Sequence, residues 1–154
     1  MKLYVETSVP NFLFTEQSPE NRRVTAVFFE WLKLSEHKVF SSQVVFAELD
    51  QAPEGNRSKL LRAMSDLYPA ILPVTAEAAG LCQFYLDRGI LPPRYYNDAI
   101  QIALCSCHNM DYLVTWNMRH MLNVYRQEKI NRANLEFGQP SIKIVTPEQL
   151  IYEV

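Results

Sequence analysis

The chain has 154 residues, 48% hydrophobic and 21% charged, with only 4 glycines, a profile that fits one globular domain and excludes a disordered or fibrous one. A formal net charge of -2 and a pI near 5.9 exclude a global attraction to nucleic acid, so any such binding needs a local basic patch. No stretch approaches the ~20 apolar residues of a membrane span, and MKLYVETS lacks the hydrophobic region of a signal peptide. Three cysteines without framework spacing fit a reducing compartment, so a single cytoplasmic domain over 1–154 with no membrane contact is expected.

The apolar run from Leu3 to Val5 predicts a short buried strand, ended by Glu6, Thr7, Ser8 and Pro10. Val24, Val27, Phe28, Trp31 and Leu32 recur at the spacing of an amphipathic helix packed on a core. Lys38 to Ser41 predicts a second strand. Ser41 or Ser42 then caps a helix through about Gln51, and Pro53, Glu54 and Gly55 break it. Asn56 to Leu67 reads as a helix and Ile71 to Val74 as a strand, followed by a helix from Thr75 that Gly89 ends.

Pro92 and Pro93 precede a helix from about Tyr95 to His108 that is apolar almost all round and therefore buried. Within it Cys105 and Cys107 point about 200° apart and make a poor chelating pair even with His108 adjacent, while Cys82 reads as packing. Tyr112 to Thr115 is the fourth expected strand, Met118 onward a long polar helix, and Ile142 to Val145 the fifth strand. Thr146 and Pro147 cap a last short helix. Strands alternating with helices predict crossover units and a largely parallel sheet covered on both faces.

Sites in such sheets form at the carboxyl ends of strands, where strand order reverses. Glu6 and Asn117 both follow a strand, Asp98 opens the buried helix, and Glu48 lies in the helix after the second strand. At about 100° per residue Glu48 falls on the side of Val44, Val45 and Ala52, opposite Asp50. Carboxylates clustered away from water repel one another unless a cation neutralises them. Oxygen-only ligands suit Mg²⁺ or Mn²⁺. A pair of such ions about 3.5 to 4 Å apart activates a water and stabilises the leaving oxygen of a phosphodiester, so hydrolysis of that bond is the natural chemistry. Asn117 would add an uncharged amide oxygen, and Thr7, Ser8 or Thr115 would orient the carboxylates or hold waters.

YVETSVPNF, the AEL around Glu48, NDAIQIAL and DYLVTWNMRH, four motifs in order along nearly the whole chain, together resemble the PIN family. The closing VTPEQL after a polar helix resembles the branch of that family carrying TWN where many relatives carry an aspartate. The resemblance implies a three-layer α/β/α sandwich with a central parallel five-stranded sheet. It also implies Mg²⁺- or Mn²⁺-dependent ribonuclease activity on an RNA substrate, often as a toxin neutralised by an antitoxin protein, and a homodimer. By the motif match Glu6, Glu48 and Asp98 take the metal-binding and catalytic acid positions and Asn117 the fourth. Two departures stand out: glutamate at position 6 where aspartate is usual, and a neutral fourth position, which weakens binding of a second ion.

Each candidate also has a structural explanation. Asn97 or Asp98 can cap a helix, Asn117 can cap one starting at Met118, and Glu6 can be a solvated strand end. Arg119 and His120 are placed to touch phosphate, with Arg126, Lys129 and Arg132 further along the same expected helix, although a solvated face explains them equally. Tyr95 and Tyr96 can stack on a base or belong to the core, and Trp116 reads as packing. A noncatalytic module binding RNA or a protein is the second reading. A phosphatase is the third, weakened by the lack of a glycine-rich phosphate loop.

Overall fold

A computed structural model describes residues 1–152. In chain order the elements are β1 (Lys2–Val5), α1 (Ser8–Phe12), α2 (Pro19–Leu34), β2 (Lys38–Ser42), α3 (Gln43–Asp50), α4 (Glu54–Ser65), β3 (Ala70–Leu72), α5 (Ala76–Asp87), α6 (Tyr96–Cys107), β4 (Tyr112–Val114), α7 (Val124–Glu136), β5 (Ile144–Val145) and α8 (Pro147–Tyr152), with a 3-10 turn over Pro93–Tyr95. The five strands are all parallel, in the order β3-β2-β1-β4-β5. The chain steps outward from β1 through β2 to β3, then crosses back to lay β4 on the other side of β1. Strand order therefore reverses between β1 and β4.

The helices pack in two groups. One holds α1, α2, α3, α4 and α8, the other α5, α6 and α7. Right-handed crossovers in opposite directions along a sheet put such groups on opposite faces, which gives the expected three layers. Leu3, Tyr4, Val5, Leu113 and Val114 are fully buried between them. Every residue of α6 from Ala99 to Ser106 is buried as well, so the expected all-round apolar helix is found. Ser42 caps α3 by accepting from Val45 N at 3.4 Å. Gly89 ends α5 at φ +68, a left-handed position open to glycine. Among the described residues no helix is long and apolar enough to cross a membrane.

Several boundaries differ from the sequence reading, each for a local reason. Beyond the end of β1, Ser8–Phe12 forms a short helix that the sequence reading does not include; Pro10 is tolerated there because the first turn of a helix needs no N–H from proline. Pro53 likewise precedes α4, and its carbonyl accepts from Asn56 N at 2.9 Å. β3 stops at Leu72 because Pro73 has no N–H to extend the ladder. β5 is confined to Ile144–Val145. Ile142 instead donates to Asn131 Oδ1 at 2.8 Å and its carbonyl accepts from Asn131 Nδ2 at 3.0 Å. The largest correction concerns the polar helix: it begins at Val124, capped by Asn123 accepting from Arg126 N at 3.1 Å. Residues 118–123 form turns, and Asn117 caps no helix at Met118.

Candidate active site

Glu6 is the first residue beyond β1, and its N–H donates to Val114 O at 3.1 Å, which fixes it over the reversal point between β1 and β4. Its side chain is 4% exposed. Oε2 accepts from Ser8 N at 2.9 Å, Ser8 Oγ at 2.5 Å and Thr115 Oγ1 at 2.8 Å. Ser8 Oγ in turn accepts from Trp116 N at 2.8 Å, and Thr115 Oγ1 from Asn117 N at 2.9 Å. The segments leaving β1 and β4 are thus tied together through one carboxylate oxygen. Burial outweighs these three bonds and, with the charge of Asp98 acting in the same sense, pushes the Glu6 carboxyl up to about 7.

Glu48 projects from α3 and is half-buried. Its Oε1 accepts from Thr7 Oγ1 at 3.0 Å and Gln101 Nε2 at 3.2 Å. Gln101 is fully buried, and its Oε1 accepts from Tyr4 OH at 3.0 Å, which lies 2.8 Å from Ser42 Oγ. The proton directions follow by elimination. A carboxylate only accepts, so the amide faces Glu48 with its nitrogen; the single phenol proton goes to Gln101, and Ser42 donates to Tyr4. Burial raises the Glu48 carboxyl above its ordinary value, opposed by the Thr7 hydrogen bond and assisted by Asp98.

Asp98 sits in the first turn of α6, where the helix dipole favours a negative charge. Its Oδ2 accepts from Asn117 Nδ2 at 3.4 Å. Burial raises its carboxyl, while His120 and the Asn117 bond pull it down. Asn117 Oδ1 accepts from His120 N at 3.0 Å, so this amide spans the acids and the turn that follows β4. The structure therefore brings Glu6, Glu48, Asp98 and Asn117 to one edge of the sheet, linked by hydrogen bonds or by mutual charge.

The neighbouring candidates divide. His120 packs against Tyr95 with ring centroids 3.8 Å apart and the planes tilted by 37°, and its Nδ1 accepts from Arg126 Nη1 at 3.0 Å. Arg94 lies 4.9 Å from the Tyr95 ring centre, so Tyr95 already has ring partners, whereas Tyr96 is 46% exposed. Lys129 and Arg132 line a cleft with Arg88 and Gly89 instead. Trp116 is packing: it is buried, with its indole N–H on Thr25 Oγ1 at 2.8 Å and its ring 5.8 Å from Phe12. The Ser42, Tyr4 and Gln101 chain behind Glu48 escaped the sequence reading. Its signal was Gln101, a polar residue three positions after Asp98 inside an otherwise apolar run.

Whether these residues suit a divalent cation can be judged from their free oxygens. Glu6 Oε1, Glu48 Oε2 and Asp98 Oδ1 receive no hydrogen bond from the described residues. All three carboxyls are held above their ordinary values. Among the described residues no three His, Cys, Asp or Glu side chains converge into a ready-made cage. That arrangement fits a hard cation held by one or two carboxylates and several waters, as Mg²⁺ is, and not an ion enclosed by protein. A cavity of about 590 Å³ lined by Leu32, His37, Phe40 and Tyr68 involves none of the four residues. It lies where β2 begins, at the other end of the sheet.

A parallel sheet covered on both faces, with acids over the reversal of strand order, defines a three-layer α/β/α protein. More narrowly, the fold is PIN-like. The chain is similar to one in the crystal structure of VapBC2 from Rickettsia felis bound to a DNA fragment from their promoter. The TM-score is 0.57, with 13% sequence identity over 95% of this chain and 98% of that one. At that identity the likeness is one of fold. No family model matches the chain, and no curated protein matches it.

Proposed function

We propose that the chain is a Mg²⁺- or Mn²⁺-dependent endoribonuclease whose cation is held by one or two carboxylates among Glu6, Glu48 and Asp98 together with waters, while Asn117 turns its amide nitrogen to Asp98 and its oxygen to His120 N. The observation that carries this reading is the set of three partly or fully buried carboxyls at the reversal point, each raised by burial and each keeping one oxygen free of hydrogen bonds from the described residues. Such a cation supplies an ionisable water at neutral pH and offsets the charge of the phosphodiester. Ser8 and Thr115 orient Glu6, Thr7 and Gln101 orient Glu48, and Asn117 holds Asp98 in register with the turn carrying His120.

The PIN-like fold and a neighbour named as an assembly, VapBC2 on promoter DNA, support a toxin role with a protein antitoxin as partner. A groove lined by Leu13, Phe14, Ala26, Phe29 and Ala63 and edged by Glu30, Lys33, Lys59, Arg62 and Asp66 suits the apolar face of an amphipathic helix. Val124, Tyr125 and Leu135 are exposed on α7 and support a homodimer. Cytoplasmic location is part of the same proposal. The neutral Asn117 favours a second reading, a catalytically weak module that binds RNA or a protein.

Titration calorimetry with Mn²⁺ on the wild type and Asp98→Asn, followed by incubation of both with a structured RNA, separates the two. Binding and cleavage that fall at least about 100-fold in the variant support the nuclease. Equal behaviour of both proteins leaves the binding module.

A further inference from the structure

The net charge is negative, yet beside Asp98 lies a knot of cations. Arg94 leaves the 3-10 turn ahead of α6, Arg119 lies in the turns after β4, and Arg126 sits in the first turn of α7. The positive charge of all three is felt at the His120 ring. Tyr95 and His120 order two of the three: their rings lie 3.8 Å apart at a tilt of 37°, Arg94 lies 4.9 Å from the Tyr95 ring centre, and Arg126 Nη1 reaches His120 Nδ1 at 3.0 Å. A guanidinium only donates, so Nδ1 accepts and the neutral imidazole carries its proton on Nε2. The imidazole therefore offers a further N–H donor.

The ion pairs of the described residues join Arg23 to Glu20, Lys33 to Glu30 and Arg88 to Glu136. None involves Arg94, Arg119 or Arg126. Three guanidiniums without carboxylate partners among the described residues, on three chain segments around one imidazole, offer fork-shaped donors suited to phosphate oxygens. The exposed Tyr96 ring next along the chain adds a π-face for an unpaired base.

We propose that Arg94, held against Tyr95, Arg126, held against His120, and Arg119 near the same imidazole form a subsite for the phosphodiester backbone of single-stranded RNA next to the acidic centre. The proposal deepens the ribonuclease reading by naming what brings the substrate to a negatively charged protein. Local cations offset the repulsion between RNA and the acids, and the spread over three segments suits successive phosphates better than one free anion.

The test measures binding without catalysis. Anisotropy of a fluorescent single-stranded oligoribonucleotide is followed in EDTA at stepped KCl concentrations. The proteins are the full chain, Arg94→Ala/Arg119→Ala, Arg126→Ala, and a control, Lys59→Ala/Arg62→Ala, which removes as many cations from the groove on α4. Arg94 and Arg119 are exposed, so the first double variant is expected to keep the far-ultraviolet circular dichroism of the parent. Each lost phosphate contact lowers the slope of log affinity against log salt by about 0.7 for a single strand, so that double variant loses about 1.4. The control keeps the parent slope. An unchanged slope in Arg94→Ala/Arg119→Ala, an equal loss in the control, or no binding by the parent overturns the subsite. Adding Mn²⁺ afterwards separates the claims. Cleavage with an unchanged slope sinks the subsite alone, and a lost slope without parental cleavage sinks the nuclease alone.

Discussion

Replacing Glu6 by Gln should stabilise the metal-free protein, and only at high pH. In the folded chain the carboxyl is raised from 4.5 to about 7 by burial, so between those values the folded state holds a proton that the unfolded state has released. Stability from this group is therefore fully present below about pH 4.5 and lost as pH rises through about 7. At about 1.4 kcal/mol per tenfold change in proton affinity, the loss is about 3 kcal/mol. Glu48 and Asp98 are raised too and act in the same direction. Glutamine keeps an oxygen for Ser8 and Thr115 but cannot ionise. Urea denaturation in EDTA should find Glu6→Gln more stable than wild type by up to about 3 kcal/mol at pH 8, and within about 0.5 kcal/mol of it near pH 4.5. Adding Mn²⁺ at pH 8 should close the gap, because an ion that binds only the folded wild type stabilises it by mass action. A stability difference that stays constant from pH 4.5 to pH 8 would refute the reasoning.

Gln101→Leu leaves Tyr4 without its amide acceptor and Glu48 with Thr7 as its one remaining donor among the described residues; a loss of about 1 to 3 kcal/mol in urea denaturation is expected, together with weaker Mn²⁺ binding. Asn117→Asp adds a fourth carboxylate and should tighten Mn²⁺ binding at least about tenfold by calorimetry, while lowering the metal-free melting temperature through repulsion with Asp98. Trp116→Phe removes the indole bond to Thr25 and should cost about 1 to 2 kcal/mol of stability with little change in metal affinity, since the ring is packing.

The layered fold was readable because its signals are repeated. Buried parallel strands such as Leu3 to Val5 are short apolar runs, and α6 from Ala99 onward is apolar on every side but for Gln101 and Ser106, so hydrophobic pattern alone set the architecture. The acids were legible for a related reason: Glu48 sits on an apolar helix face, and Glu6 and Asn117 follow strands that a reversal in strand order brings side by side. Boundaries were less legible. Pro10 and Pro53 look like breakers in sequence, yet lie where a helix start tolerates proline. The turns at 118–123 were hidden because their residues are ordinary helix formers, and what halts a helix there is tertiary: Asn117 is held by Asp98, and His120 by Tyr95 and Arg126. The Ser42, Tyr4, Gln101 and Glu48 chain was hidden because its members lie on four different elements, and only the sheet register puts Tyr4 between α3 and α6.

The two departures from the usual acid pattern compensate for each other. Asn117 meets Asp98 Oδ2 with an amide nitrogen at 3.4 Å; a carboxylate there would face a like charge and raise acids that burial already raises. Neutrality at this position therefore spares the metal-free fold at the expense of cation affinity. Glu6 offsets part of that loss. Its extra methylene, relative to aspartate, lets Oε2 reach the Ser8 and Thr115 hydroxyls that tie β1 to β4, while Oε1 stays free of protein donors. A shorter acid would have to choose between holding the two strand ends together and presenting an oxygen to the cation. With three acids instead of four, the centre repels a polyanion less than a four-carboxylate one would, and in the proposed reading a divalent ion and the arginines around His120 offset the repulsion that remains.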